Sequence, residues 1–226
     1  MCGIIGYVGK SKAAPILIEA LKRLEYRGYD SAGISTINEN NILIEKDIGK
    51  IHEIESKINL KGLNGNIGIS HCRWATHGGV TKENAHPHTD CNNNISIVHN
   101  GIIENFSELK EMLIKKGHKF KSSTDTEVIA HLIEDNYNGN IEGATRKALK
   151  QIDGSYALGI ICAKEPNKLI AARNESPLIL GLGKDENFIA SDVPAILKYT
   201  NKVIYLENNE IAILEKNNYS IKNADG

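Results

Sequence analysis

Short apolar runs separated by polar turns open the chain and predict a strand, a helix and a strand pair. Residues 3–8 form an apolar run rich in β-branched side chains, and residues 14–24 carry apolar side chains at helical spacing. Residues 34–37 and 42–45 predict two strands around the turn-forming residues 38–41. The chain therefore begins as a strand, a helix and a hairpin.

The remaining pattern predicts two strands, then helices, then a strand-rich end. Strands are expected at 67–72 and 95–99, with a long polar loop between them. Three helices are expected at 107–116, 126–135 and 143–152. Ser107 is the expected cap of the first helix, which Gly117 ends. Six more strands are expected at 156–163, 169–173, 178–182, 188–191, 203–206 and 211–214. Strands and helices that come in blocks favour the α+β class over repeated βαβ units.

One domain is expected for residues 1–226. A chain of 226 residues and 24.8 kDa is within the range that one hydrophobic core supports, which ends at roughly 250–300 residues. Residues 215–226 are polar and end without a capped helix or an apolar closing strand. We therefore expect that this chain is cut from a longer protein.

Charge and cysteine content narrow the classes of partner and compartment. With 27 basic and 28 acidic side chains, the chain has no long-range field that favours nucleic acid or an anionic membrane, so a small ligand is expected. No apolar run approaches the roughly 20 residues that span a bilayer. No basic segment precedes the first apolar run, as it would in a secretory signal. Four cysteines without a C-x-x-C pair predict free thiols in a reducing cytoplasm.

Cys2 places a thiol beside the chain terminus, and removal of Met1 would give the same residue a free α-amine. The ordinary pKa of a thiol is about 8.5 and that of an α-amine about 7.7–8.0, so the amine could act as general base for its own thiol. The apolar residues 4–8 would hold this terminus in a sheet, and Gly3 would leave the approach to the thiol open. A buried cysteine without chemistry is the alternative.

Residues 73–79 form a loop that is dense in chemically useful side chains. Arg73, Trp74, Thr76 and His77 supply a cation, an aromatic surface, a hydroxyl group and an imidazole, and two glycines follow. An arginine donates two parallel hydrogen bonds to a carboxylate, and paired glycines allow a loop to close over a ligand. An ion-paired surface loop would have the same composition, so both interpretations remain open.

A metal site built from His86, His88 and Cys91 is a further alternative. These residues lack the paired ligand spacing of zinc motifs. Pro87, between the two histidines, also fits a rigid loop whose rings pack or form hydrogen bonds. We therefore predict no metal ligands in this chain.

Asn100 and Asp125 each have a structural and a chemical interpretation. Asn100-Gly101 is typical of a tight turn, but the Asn100 amide and the Gly101 N–H could also form an oxyanion hole. Asp125 is suited to cap the helix that follows it. Its carboxylate could instead accept hydrogen bonds from the α-ammonium of an amino acid whose carboxylate is held by Arg73. Such a pair would recognise a zwitterion.

Together these segments resemble one family, the glutaminase domain of glutamine–fructose-6-phosphate aminotransferase (isomerizing), also called glucosamine-6-phosphate synthase. The resemblance rests on residues 2–6, 24–33, 71–78, 84–88, 99–105 and 124–131. Further similarity at 176–178 and 187–192 extends it along almost the whole chain. The wider class is the N-terminal-nucleophile amidotransferases, which share an opening Cys-Gly.

The resemblance implies a four-layer αββα sandwich and a catalytic set around Cys2. The Cys2 thiolate would attack the side-chain amide of glutamine while its own α-amine moves protons. Asn100 and Gly101 would hold the oxyanion. Arg27 and Gly28 match family positions that help to orient the surroundings of the nucleophile.

The resemblance also implies how glutamine is bound. Arg73 would bind the substrate α-carboxylate and Asp125 its α-ammonium. The other pocket and loop residues would be Trp74, Thr76, His77 and His86. Glutamate and ammonia would be the products, and neither a cofactor nor a metal would take part.

In the family, a C-terminal isomerase part, absent here, uses the ammonia to convert fructose-6-phosphate to glucosamine-6-phosphate for UDP-N-acetylglucosamine biosynthesis. That part also provides much of the contact in the homodimer. Two rival interpretations remain. One is an amidotransferase domain that supplies a different acceptor, and the other is a regulatory domain that binds an amino acid without turnover.

Overall fold

The computed structural model describes residues 2–224; Met1, whose removal is expected, lies outside the described residues, as do Asp225 and Gly226. The helices are α1 (Ala13–Lys22), α2 (Ile51–Lys57), α3 (Phe106–Lys115), α4 (Glu127–Asn136) and α5 (Ile141–Leu149). The strands are β1 (Gly3–Gly9), β2 (Ser31–Asn38), β3 (Asn41–Ile48), β4 (Ile67–Arg73), β5 (His88–Thr89), β6 (Ile95–Ile103), β7 (Gly154–Cys162), β8 (Leu169–Asn174), β9 (Ile179–Leu182), β10 (Glu186–Ala190), β11 (Val203–Tyr205), β12 (Glu210–Leu214) and β13 (Tyr219–Asn223).

The strands form two antiparallel sheets that pack face to face. The first sheet has the order β11-β9-β10-β1-β4-β2-β3, and the second has the order β13-β12-β8-β7-β6-β5. Helices α1 and α2 cover the outer face of the first sheet, and α3, α4 and α5 cover that of the second. The expected α+β class and αββα layering are confirmed.

Strand β1 lies in the centre of the first sheet and is buried on both faces. Ile4 and Val8 face the apolar layer between the two sheets, whereas Ile5 and Tyr7 face the layer beneath α1. A strand that is buried on both faces reads as a continuous apolar run rather than an alternating one, which explains the composition of residues 4–8. The residue before this strand is Cys2, so the strand holds its backbone in place.

The predicted hairpin is confirmed, with a two-residue turn between β2 and β3. Asn38 pairs with Asn41, and the turn residues Glu39 and Asn40 both have positive φ, at 49° and 62°. Two successive positive φ values define the turn type whose twist matches that of a hairpin. Asparagine tolerates this conformation better than most residues, which suits Asn40 to the turn.

Three expectations about the helices and the chain end need correction. Helix α3 begins at Phe106 after Asn105, so Ser107 lies inside its first turn and is not the cap. Helix α2 was missed because it is only 7 residues long. Residues 219–223 form a polar edge strand against β12, where the sequence indicated no closing strand. Gly117 does follow the end of α3, with φ +98°.

Ile189 on β10 fills space between the sheets and is fully buried. A Cβ at Gly6 would lie 2.7 Å from its Cγ1, and a Cβ at Gly159 2.8 Å from its Cδ1. Ile189→Ala should therefore lower the free energy of unfolding by about 2–5 kcal/mol, as measured in urea, because a cavity remains. Ile114→Ala, at a side chain that is 52% exposed, should stay within about 0.5 kcal/mol of the parent. Equal losses in the two variants would contradict this account of the core.

Candidate active site

The Cys2 thiol lies against the backbone of Trp74, which follows β4. The Trp74 N–H donates to Cys2 Sγ at 3.2 Å, and Sγ lies 3.4 Å from the Trp74 carbonyl oxygen, to which the thiol can donate. Burial raises the pKa of the Cys2 thiol, although the Trp74 N–H opposes this shift. The thiol form is therefore favoured, and attack by sulfur requires a base close to it.

Gly3 does not open the approach to the thiol, contrary to our expectation. A Cβ at Gly3 would lie 2.6 Å from Cys72 Sγ and 2.8 Å from Leu24 Cβ. The missing side chain therefore makes room for the packing between β1, β4 and the end of α1. The glycine keeps Cys2 close to its neighbouring strand.

Gly28 and Arg27 lie behind the peptide that contacts the thiol. A Cβ at Gly28 would lie 2.6 Å from the carbonyl carbon of Arg73 and 2.8 Å from the nitrogen of Trp74, so only glycine lets this peptide approach. Arg27 Nη2 donates to Asp192 Oδ2 at 2.6 Å. This ion pair anchors the turn that carries Gly28 to the segment after β10.

Asn100, on β6 of the second sheet, contacts Cys2 on the first. Its Nδ2 donates to the Cys2 carbonyl oxygen at 3.0 Å, and its Oδ1 lies 3.0 Å from His71 Nε2. His71 Nε2 also lies 3.1 Å from the His99 carbonyl oxygen. Both partners of Nε2 are acceptors, so this nitrogen carries the proton. The tautomer of His71 thus orients the Asn100 amide with its NH₂ group toward Cys2.

Gly101 lies within strand β6, so the tight-turn interpretation of Asn100-Gly101 is wrong. Asn100 pairs with Ala157 and Gly101 with Tyr156 across the β6–β7 ladder. Gly101 has φ +136°, and a Cβ there would lie 2.0 Å from the Ser155 carbonyl oxygen. Only glycine can occupy this position without displacing the strand.

Four buried histidines form a layer beneath Cys2 and Asn100. The rings of His71 and His86 stack with centroids 4.1 Å apart, and His88 meets His86 edge-on at 4.7 Å. The His99 N–H donates to His86 Nδ1 at 3.3 Å. Burial lowers the pKa of all four, that of His71 to about 3. The layer is therefore uncharged at neutral pH.

The predicted loop folds over the Arg73 guanidinium. Nη1 donates to the Gly79 carbonyl oxygen at 3.1 Å, and Nη2 donates to those of His77 and Gly78, the latter at 3.3 Å. The Ala75 N–H donates to Asp30 Oδ2 at 2.9 Å. The loop carbonyls thus occupy the donors that a bound carboxylate would use.

Asp125 does not cap α4. The helix begins at Glu127, and Thr126 takes the cap position. Among the described residues, no side chain donates or accepts a capping hydrogen bond there. Asp125 Oδ2 instead accepts from the Ile103 N–H at 2.9 Å, and the residue is only 5% exposed. The carboxylate is thereby fixed between β6 and α4.

These side chains line one small cavity. Its lining residues are Cys2, Arg73, Trp74, Thr76, His77, His86, His99, Gly101, Thr124, Asp125 and Thr126. Its volume of about 20 Å³ is enough for one water molecule. Eight of the eleven residues proposed from sequence line this cavity. Of the other three, Asn100 contacts Cys2, and Arg27 and Gly28 lie behind the peptide between residues 73 and 74. His99, Thr124 and Thr126 were not proposed, although each neighbours a residue that was.

A larger cavity, of about 580 Å³, lies among turn residues that include Asn38, Asn66 and Asn218. None of the candidate catalytic residues lines it.

His86 and His88 belong to the histidine layer, whereas Cys91 contacts His118 and His131. The metal site considered from sequence at His86, His88 and Cys91 is therefore not formed.

A cysteine at the head of a central strand, facing an amide from the opposite sheet of an αββα sandwich, defines an amidotransferase of the N-terminal-nucleophile fold. The family model described as "Glutamine amidotransferase domain" matches residues 71–198. The chain belongs to this glutamine amidotransferase family.

Three similar proteins carry the name glutamine–fructose-6-phosphate aminotransferase [isomerizing]. Those of Thermococcus kodakarensis and Pyrococcus horikoshii are each 57% identical, over 100% and 98% of this chain. That of Aquifex aeolicus is 54% identical over 100%. The chain spans only 38% of the length of each of these relatives.

Solved structures share the fold along the whole chain. The glutamine phosphoribosylpyrophosphate amidotransferase of B. subtilis superposes with a TM-score of 0.86 at 28% identity, covering 99% of this chain and 49% of that one. A glutamine aminotransferase class-II domain protein from Silicibacter pomeroyi has a TM-score of 0.69 at 14% identity, which shows the fold alone; it covers 98% of this chain and 99% of that one. Within residues 2–224, no helix combines the length and apolar character needed to cross a membrane.

The histidine layer predicts a loss of stability in acid. Because the pKa of each buried histidine is lower in the native protein than in the unfolded chain, the unfolded chain binds protons first as the pH falls below about 6.5. Each histidine should then cost up to about 1.4 kcal/mol per pH unit, until its native pKa is reached.

The free energy of urea unfolding, measured between about pH 7 and pH 5, tests this linkage. His86→Gln should make its pH dependence shallower by about one proton. Ile114→Ala, which changes no titratable group, should leave the slope unchanged. A stability that does not vary over this range would rule out a neutral buried layer.

Proposed function

We propose that this domain hydrolyses the side-chain amide of L-glutamine to glutamate and ammonia, with Cys2 as the nucleophile. The observation that carries the proposal is that Cys2 and Gly101 line one cavity together with Arg73 and Asp125, while the Asn100 amide contacts Cys2. No single one of these groups would suffice. Together they provide a nucleophile, donors for an oxyanion and a charged group for each end of an amino acid.

The reaction has two parts on the same sulfur atom. Cys2 Sγ bonds to the amide carbon of glutamine, and the carbonyl oxygen becomes an oxyanion. When the oxyanion collapses, the carbon–nitrogen bond breaks, the nitrogen takes a proton and leaves as ammonia, and a thioester remains. Water then attacks the thioester through a second oxyanion, which releases glutamate and restores the thiol.

The α-amine that removal of Met1 would leave on Cys2 is the base that we assign. An α-amine with an ordinary pKa of about 7.7–8.0 takes and returns protons near neutral pH. The nearby histidines are less suitable, since burial lowers their pKa values. Retained Met1 would convert this amine to an amide and remove the base.

Asn100 and Gly101 are assigned as the oxyanion donors. One N–H of the Asn100 amide donates to the Cys2 carbonyl oxygen, which leaves the second for the substrate. Gly101 lines the cavity, and its backbone N–H is assigned as the second donor. Since His71 fixes the amide, these donors need little reorganisation during the reaction.

Arg73 and Asp125 are assigned to the α-carboxylate and the α-ammonium of glutamine. The carboxylate would replace the loop carbonyls that now accept from the Arg73 guanidinium. Because the cavity holds about one water molecule, this exchange requires the loop 73–79 to move. The remaining walls of the pocket are assigned to Trp74, Thr76, His77 and His86. Arg27 and Gly28 position the peptide against which the thiol rests.

For the full-length protein we propose ammonia transfer to fructose-6-phosphate, giving glucosamine-6-phosphate in the cytoplasm. Support comes from the name of relatives that are up to 57% identical and of which this chain spans 38%. The remaining length of such a protein would hold the C-terminal isomerase part, and we propose that the full-length protein forms a homodimer through it. The glutaminase step needs no cofactor in this proposal.

Intact mass, glutamate release and labelling on one protein sample test the nucleophile. Loss of Met1, one adduct of a diazo-ketone glutamine analogue on Cys2, and a rate at least about a thousandfold lower in Cys2→Ser are expected. The urea midpoint of that variant should match the parent, which would show that the fold is kept. Unchanged turnover in Cys2→Ser, or with Met1 retained, would contradict the proposal. Glutamine binding without glutamate release would favour the regulatory interpretation.

Asp125→Asn should weaken recognition of the substrate ammonium. The loss of a charge-assisted hydrogen bond of about 1.5–3 kcal/mol corresponds to a roughly 10–150-fold lower kcat/KM for glutamine. The variant should lose less toward an analogue in which hydrogen replaces the α-ammonium. Asp153→Asn, at an exposed carboxylate outside the cavity, is the matched control. Equal losses for glutamine and the analogue would refute this role.

A further inference from the structure

Four potential metal ligands meet at one end of the helical layer on the second sheet, outside the Cys2 cavity. They are Cys91, in the turn between β5 and β6, His118, in the segment between α3 and α4, and His131 and Glu134, on α4 itself. Their ligand atoms all lie within 4.8 Å of one another. None of the four lines the Cys2 cavity.

Five of the six distances between these atoms are close to the edges of a tetrahedron around zinc. Nδ1 of His118 and Nδ1 of His131 are 3.3 Å apart, and Glu134 Oε2 lies 3.0 Å and 3.2 Å from them. Bonds of about 2.0–2.1 Å to nitrogen at tetrahedral angles place two such ligands about 3.3 Å apart. Cys91 Sγ lies 3.8 Å and 3.6 Å from the two nitrogens, where a zinc–sulfur bond of about 2.3 Å requires roughly 3.5 Å.

Both histidines turn their other nitrogen toward a carboxylate. His131 Nε2 lies 3.6 Å from Glu127 Oε1, and His118 Nε2 lies 3.7 Å from Asp135 Oδ1. A histidine that ligates through Nδ1 carries its proton on Nε2, and an acceptor beside that proton is a regular feature of metal sites. His131 is 1% exposed, and at 3.6 Å its Nε2 faces the Glu127 carboxylate without forming a hydrogen bond, so its polar contacts are made through Nδ1.

The hydrogen bonds to Cys91 and Glu134 also favour the anionic forms of these two ligands. The Lys119 N–H donates to Cys91 Sγ at 3.4 Å, as expected for a group that stabilises a thiolate. Asn92 Nδ2 donates to Glu134 Oε1 at 2.9 Å, and the Cys91 backbone N–H donates to Oε2 at 3.2 Å, which holds Oε2 beside the two histidines. Without a cation, the two imidazole nitrogens, the sulfur and the carboxylate oxygen would present their lone pairs to one another, with few protons between them.

We propose that Cys91, His118, His131 and Glu134 bind one Zn²⁺ ion as a structural site. One thiolate, two neutral imidazoles and one carboxylate balance its charge and suit a borderline-soft cation with tetrahedral preference. The protein supplies four ligands and leaves no position for a substrate, so the ion holds structure and does not catalyse. It would tie the turn after β5 and the segment after α3 to the buried helix α4. This assignment replaces our expectation from sequence of no metal ligands.

Metal content of the purified protein, with any affinity tag removed, gives the first test. We expect about one zinc per chain by mass spectrometry after expression with zinc. The metal-stripped protein should bind Co²⁺ with the visible bands of a tetrahedral site that includes a thiolate, and Zn²⁺ should displace them. Added Zn²⁺ should raise the melting temperature of the stripped protein.

Three variants separate this site from other metal binding. Cys91→Ser should lose the thiolate band and weaken Zn²⁺ binding by more than about 100-fold. Loss of a ligand should cost more than loss of a residue that only hydrogen-bonds to a ligand, for which the cost reaches about 100-fold. Cys2→Ser and His52→Gln should bind as the parent does. Since both controls retain all four ligands, weaker binding in either would oppose the assignment. Absence of zinc and of the Co²⁺ bands in the parent, or unchanged binding in Cys91→Ser, would overturn it.

Discussion

The hydrogen bond from Asn100 Nδ2 to the Cys2 carbonyl oxygen joins the two sheets at the proposed catalytic site. Cys2 directly precedes the central strand of one sheet, and Asn100 belongs to a strand of the other. The proposed oxyanion donors and the thiol therefore keep their spacing only while the apolar layer between the sheets is intact. In this fold, core packing is a condition for the chemistry as well as for stability.

The histidine layer shows how such a site controls charge. Its rings are buried and neutral, so the fixed positive charge at the cavity comes from Arg73. In the proposed mechanism, a neutral His71 orients the Asn100 amide without attracting the developing oxyanion to itself. The layer would thus give direction to the proposed donors and leave selection for a carboxylate to Arg73.

Features encoded within a few neighbouring residues could be predicted, and those that depend on distant partners could not. The apolar residues 4–8 and the turn at Glu39 and Asn40 carry their own signals, so the strand and the hairpin were found. Asn100-Gly101 reads as a turn until Ser155, on the next strand of the sheet, is placed beside it. Asp125 likewise reads as a cap, because nothing local reveals that the Ile103 N–H will engage its carboxylate. Most residues that motifs pointed to do line the cavity, whereas Thr124 and Thr126 required the assembled cavity to be noticed.

The position of β1 between β4 and β10 bears on how the protein is made. Ile5 pairs with Ser70 on one side and with Ala190 on the other. At roughly 5–20 residues per second, the ribosome needs about 10–40 s to pass from Ile5 to Ala190. Throughout that interval one edge of β1 has no partner. The central strand that follows the cysteine is thus completed only after most of the chain has been synthesised.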